Sequence, residues 1–145
     1  MRVQRIRAEF VDSAPRQLDD GVLYISERFH TALHKCCCGC GQEVVTPLNP
    51  AKWSYAKHGK TITLSPSVGN WSFPCQSHYL IIKNEVVWAH GMTKRQIMNV
   101  KARDARDQSE YLGNLNNEKL GLQTAKISLS PLSKFVLHIR KWWSK

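Results

Sequence analysis

Hydrophobic and polar positions divide this chain near Gly91. Before it, short apolar runs alternate with a period of about two and are separated by turn residues. After it, long polar stretches carry apolar residues at helical spacing. Val22-Leu23-Tyr24-Ile25-Ser26 follows the turn-forming Asp19-Asp20-Gly21 and predicts a strand, because β-branched and aromatic side chains fill a pleated, buried surface well. Residues 32–38 predict a second strand. Glu43-Val44-Val45-Thr46 predicts a third, closed by Pro47 and Asn49-Pro50. Residues 52–56 and 61–65 flank His58-Gly59 as a hairpin, and residues 79–82 and 86–89 flank Lys83-Asn84-Glu85 as another. The pattern predicts an antiparallel, meander-like sheet.

Beyond Gly91, Thr93 and Gln96 form a capping-box pattern that opens a polar helix over residues 94–111, with Gly113 as its stop. Residues 114–128 are weakly patterned. Ser130-Pro131 then places an N-cap before a proline at the first helical position. Leu132, Phe135, Val136, Ile139 and Trp143 follow on one stripe, with Lys134, Lys141 and Lys145 off it, so a short amphipathic helix docked on the core is expected.

Composition narrows the class. A chain of 145 residues with 42% apolar content suits one globular domain, a β-rich core at about 20–90 with a basic helical part at 91–145. No run of about 18 apolar residues predicts a membrane span. The basic N-terminal residues lack the apolar stretch of a secretory signal, so the expected compartment is the reducing cytoplasm. The formal charge of +10 is uneven: residues 1–90 carry 10 Lys+Arg against 7 Asp+Glu, and residues 91–145 carry 11 against 4. That excess fits an acidic protein partner, nucleic acid, or a solvated helical face.

The chemistry lies in the cysteines. All five fall in two clusters, His34-Lys35-Cys36-Cys37-Cys38-Gly39-Cys40-Gly41-Gln42-Glu43 and Pro74-Cys75-Gln76-Ser77-His78. In a reducing compartment, thiolates and imidazoles from two distant segments suit a tetrahedral Zn²⁺ better than disulfides. Cys38 and Cys40 bracket Gly39, and Cys75 and His78 have a bidentate spacing, so Cys38, Cys40, Cys75 and His78 are the expected ligands. Cys36 and His34 are held in reserve. Cys37 points the other way on an extended strand and is expected in the core. The fold class is therefore α+β: a small antiparallel sheet of hairpins around a zinc site, followed by C-terminal helices.

A zinc site with an open position would be catalytic, and a closed one structural. Glu43 is placed to act as general base toward a zinc-bound water, and His34 to polarise a carbonyl or protonate a leaving group. The loop over residues 65–74 offers Asn70 and Ser67 as donors to substrate, while Trp71 and Phe73 fill core. A surface carboxylate at Glu43 is the plainer alternative.

His34-x-Cys36-x-Cys38-Gly39-Cys40-Gly41, Leu64-Ser65-Pro66-Ser67-Val68-Gly69-Asn70-Trp71 and Cys75-x-Ser77-His78-Tyr79 resemble a bacterial zinc-binding family, domain of unknown function 6527, over roughly residues 20–90. The resemblance implies a small zinc-binding α+β domain working beside bacterial ubiquitin-like proteins and their E1- and E2-like enzymes. It also implies a Cys/Glu/His/His set mapping to one of Cys38, Cys40 and Cys75, with Glu43, His34 and His78. The leading expectation is thus a zinc-dependent peptidase that processes or removes a ubiquitin-like modifier. The alternatives are a non-catalytic, zinc-stabilised adaptor resembling an E3, and, third, a nucleic-acid-binding protein.

Overall fold

A computed structural model describes residues 1–128. It contains eight strands, β1 (Arg7–Phe10), β2 (Val22–Ser26), β3 (Thr31–Lys35), β4 (Glu43–Pro47), β5 (Ser54–His58), β6 (Thr61–Gly69), β7 (His78–Ile82) and β8 (Glu85–Trp88), followed by one helix, α1 (Lys94–Ser128). The strands form two four-stranded sheets in sequence order, β1-β2-β3-β4 and β5-β6-β7-β8. The second sheet is an antiparallel meander. The first is mixed, because β1 lies parallel to β2.

The two sheets meet in one core. Leu23, Ile25, Ala32 and Val44 from the first sheet cluster with Ile62, Leu64, Val68, Tyr79, Ile81 and Val86 from the second. β2 is buried at all five positions. Its odd-numbered pair Leu23 and Ile25 faces this core, while Val22 and Tyr24 pack with Leu18 in a smaller cluster. A strand covered on both faces reads as a continuous apolar run, as this one does.

Turn chemistry explains the hairpins. Lys83 and Asn84 both have positive φ, 49° and 70°, as a two-residue turn matched to strand twist requires. The Asn84 side chain accepts from the Ile62 N–H at 2.8 Å and so ties that turn to β6. β6 carries an irregularity: Leu64 pairs with Ile81 and Val68 with Tyr79, so four steps on β6 span two on β7. Residues 65–67 form this bulge, and Ser67 lies on it.

Three expectations change. β3 stops at Lys35 rather than running to Cys38, because the Cys36 N–H turns to the Gln42 carbonyl (2.8 Å) and closes a loop. β6 extends through Gly69, where a loop was expected from residue 65. The helix does not end near Gly113 but continues to Ser128. An interior glycine costs only about 1 kcal/mol in a helix and is not a stop by itself. The capping box is present: the Gln96 side chain accepts from the Thr93 N–H at 2.8 Å, and Thr93 Oγ1 accepts from the Gln96 N–H at 3.3 Å. Residues 1–105 form one compact unit, and a second begins at Arg106. The amphipathic helix expected after Ser130 lies outside the described residues.

Ile25→Ala should destabilise the protein by about 2–5 kcal/mol through cavity formation. The exposed Val45→Ala should stay within about 0.5 kcal/mol. Urea denaturation of both variants measures the difference.

Candidate functional site

The first cysteine cluster sits in the turn leaving β3. Gly39 and Gly41 take φ of 84° and 79° there, a backbone region that penalises a Cβ. Gly39 is needed for a second reason, since a Cβ on it would stand 2.6 Å from the Met1 carbonyl oxygen. The N-terminal segment thus lies against this loop, and the Val3 N–H donates to the Cys37 carbonyl at 2.8 Å. The second cluster lies in a tight excursion from β6 to β7. The Phe73 N–H bonds the Asn70 carbonyl (3.1 Å), the Gln76 N–H bonds the Phe73 carbonyl (3.0 Å), and the Asn70 N–H bonds the Ser77 carbonyl (2.9 Å).

These two turns bring Cys36, Cys38, Cys40 and Cys75 together, with all four sulfurs within 4.8 Å of one another. Sulfur separations of 3.3 Å for Cys36–Cys38, 3.8 Å for Cys40–Cys75 and 3.9 Å for Cys36–Cys75 bracket the spacing a four-coordinate ion requires. Metal–sulfur bonds of about 2.3 Å in a tetrahedron put sulfurs about 3.8 Å apart. The donor set therefore fits a metal ion. Burial opposes ionisation of Cys75, but hydrogen bonds from Ser77 and from the Cys38 and Cys40 thiols outweigh it and bring the thiol down to about 7. Cys38 is pushed up by burial and by sharing with Cys36 and Cys40. A cation entering here would displace the remaining protons.

Behind the sulfurs runs a buried polar chain. Ser77 Oγ lies 3.1 Å from Cys36 Sγ, and Asn70 Nδ2 donates to Ser77 Oγ at 2.9 Å and reaches Cys36 Sγ at 3.4 Å. Such donors hold metal-binding sulfurs in place. His34 Nε2 bonds the Tyr79 hydroxyl at 2.8 Å, while its Nδ1 is buried without a partner. Burial holds the His34 imidazole down to about 4.

Where the sequence-derived residues fall is now plain. Cys38, Cys40 and Cys75 converge, and the fourth sulfur is that of Cys36. His78 is not in the cluster: its ring bonds elsewhere, because β7 begins at His78 and turns it to the outer face. His34 is fully buried, away from the surface. Glu43 is exposed at the start of β4, opposite Lys35. Asn70 is buried and faces the cysteines rather than solvent. Cys37 is fully buried in the core.

Ser67 and His78 meet instead. Ser67 Oγ lies 3.0 Å from His78 Nε2, and His78 Nδ1 lies 3.2 Å from the His90 carbonyl oxygen. A carbonyl can only accept, so Nδ1 carries the proton and Nε2 is left as the base that receives the Ser67 hydroxyl. Both side chains are half-buried. The Trp71 ring packs on His78, centroids 5.0 Å apart, and its indole occupies the space where a Gly69 Cβ would stand, 2.4 Å away. Among the described residues, no other serine bonds a histidine. The sequence pattern pointed to both residues but for different tasks, Ser67 for substrate binding and His78 for metal ligation. The signal that unites them is the register Gly69↔His78 across a bulge.

The model of a family described as bacterial ubiquitination-like system serine protease (BubE) matches residues 10–89. No curated protein and no solved structure matches the chain. The bacterial ubiquitin-like setting agrees with the resemblance drawn from the motifs. The family name differs from domain 6527, and it describes a serine protease rather than a zinc-dependent one.

Gly69→Ala should cost about 1–3 kcal/mol by overpacking against Trp71. Combining it with Trp71→Ala should recover part of that loss, as a double-mutant cycle in thermal denaturation would reveal.

Proposed function

Because the chain belongs to the bacterial ubiquitination-like system serine protease (BubE) family, we propose that it is a serine peptidase acting on precursors or conjugates of a bacterial ubiquitin-like protein. Ser67 is the nucleophile and His78 the general base. The observation that carries this reading is the Ser67–His78–His90 chain of contacts, with a serine hydroxyl, a base in reach and a group that orients the base. Ser67 Oγ attacks the scissile carbonyl carbon and His78 Nε2 takes the hydroxyl proton. The same proton passes to the departing amine as the C–N bond breaks. Water then attacks the acyl-serine, again losing a proton to His78, and the acid product leaves with Ser67 restored. The orienting group is a neutral carbonyl, so among the described residues the imidazolium formed in each half-reaction has no carboxylate bonded to it.

The cysteine cluster has a separate task in this reading. Cys36, Cys38, Cys40 and Cys75 would hold a zinc ion, which would supply a cross-link between the two turns rather than an activated water. Its ligand Cys75 lies three residues before His78, and Ser77, which bonds Cys36, is the immediate neighbour of His78. The cluster thereby anchors the turn that delivers the base. Glu43 and His34, the residues of a zinc-dependent reading, stand one on an exposed strand start and one in the core.

Active-site labelling, variant turnover, metal content and cobalt substitution test this. A fluorophosphonate probe should label Ser67, and Ser67→Ala or His78→Gln should lower peptidase turnover by roughly three orders of magnitude; retained turnover in either overturns the assignment. Glu43→Gln should leave turnover unchanged, whereas a metallopeptidase would lose it. The purified protein should hold one zinc ion by elemental analysis, released by Cys36→Ser and retained by His78→Ala. Replacing zinc with cobalt should add thiolate charge-transfer bands and leave turnover unaltered.

A further inference from the structure

Among the described residues, the part of β6 that carries Ser67 has a neighbouring strand on one side only. β5 accompanies β6 as far as the pair Ser54↔Ser65, while β7 pairs with Val68 and Gly69. Two hydrogen bonds say which way the backbone faces. The Asn70 N–H donates to the Ser77 carbonyl at 2.9 Å, and the Ala89 N–H donates to the His78 carbonyl at 3.0 Å. The His78 carbonyl is thus turned toward β8. Bonded and non-bonded pairs alternate along antiparallel strands, so Gly69↔His78 is a non-bonded pair. The N–H and C=O of Gly69 therefore face the side that β5 has left, and by the two-residue alternation those of Ser67 do too. Ser65, two residues earlier, is still paired with Ser54 of β5, so the strip begins at Ser67.

Among the described residues, no loop backbone bonds Ser67 or Gly69. Both are half-buried, and Ser65 and Pro66 beside them are exposed. Sheet edges are ordinarily blunted by charge or cover, since an open edge recruits another strand. Here the uncharged pair Ser67 and Gly69 leaves two donors and two acceptors beside the nucleophile. That is the complement of an extended peptide, which offers the same groups in alternation.

We propose that the peptide substrate adds as a strand to the open edge of β6, bonding the N–H and C=O groups of Ser67 and Gly69, and is thereby held beside Ser67 Oγ. The proposal rests on the serine-peptidase reading. Recognition would come from substrate backbone at these positions, so a flexible, small-residue tail would satisfy it.

The test uses triglycyl and trialanyl boronic acids, whose side chains contribute little, with phenylboronic acid as a probe of the serine alone. Amide exchange of the full chain is followed by NMR. Binding of the peptide boronates should protect the Ser67 and Gly69 amides, and phenylboronic acid should not. N-methylation at one peptide nitrogen of the boronate should weaken binding by roughly three- to tenfold, the worth of one hydrogen bond. Three results would overturn the proposal: peptide boronates that bind no better than phenylboronic acid, N-methylation without effect at every position, or protection of both amides already in the free protein, which would mean the edge is occupied. Fluorophosphonate labelling of Ser67 separates the two ideas. Labelling without amide protection sinks the strand addition and leaves the nucleophile standing, whereas no labelling removes the nucleophile.

Discussion

The convergence of four sulfurs is the constraint on which the rest of this molecule depends. Cys36, Cys38 and Cys40 follow the third strand of one sheet, and Cys75 precedes the third strand of the other. The apolar core already presses the sheets together through Leu23, Ile25, Tyr79 and Ile81. Burial is non-directional, however, and does not dictate how a turn leaves a strand. The sulfurs, with Ser77 and Asn70 behind them, supply that direction. They define the path of residues 70–77, and that path ends at His78, which meets Ser67.

Polar groups divide between the two faces of the second sheet. Inward, Tyr79, His34, Asn70 and Ser77 form a satisfied chain leading to the cysteines, apart from His34 Nδ1. Outward, Ser67, His78 and the Trp71 ring share the opposite surface. The boundary between them is one strand thick. His78 and Tyr79 are consecutive residues with opposite environments, which is how a period of two lets a single strand serve both the cysteine-lined core and a solvent-facing pair.

Much of the fold was legible because period-two alternation and turn chemistry are local. The strand Val22–Ser26, both hairpins of the second sheet and the Thr93–Gln96 capping box follow from residues near one another. β1 was not legible: Arg7–Phe10 is a short edge strand of mixed polarity, and only its parallel partner β2 identifies it. The cysteine grouping announced a common destination, yet the bidentate spacing of Cys75 and His78 put His78 in the place that Cys36 takes. Cys36 joins the cluster because the chain leaves the pleat at Lys35. The Ser67–His78 pair was least legible. Its members are 11 residues apart on different strands, and a bulge decides that they meet. Bulges re-aim side chains without leaving an unambiguous sequence mark.

The group that orients His78 is a main-chain oxygen, the carbonyl of His90, three residues before the helix cap. A side-chain carboxylate in that role could be deleted by one codon change; a peptide carbonyl cannot. Any amino acid at position 90 would bring the same oxygen, provided the chain follows the same course. The contact therefore depends on the spacing and trajectory of the segment joining sheet to helix, and an inserted or deleted residue there would do what no substitution of His90 can.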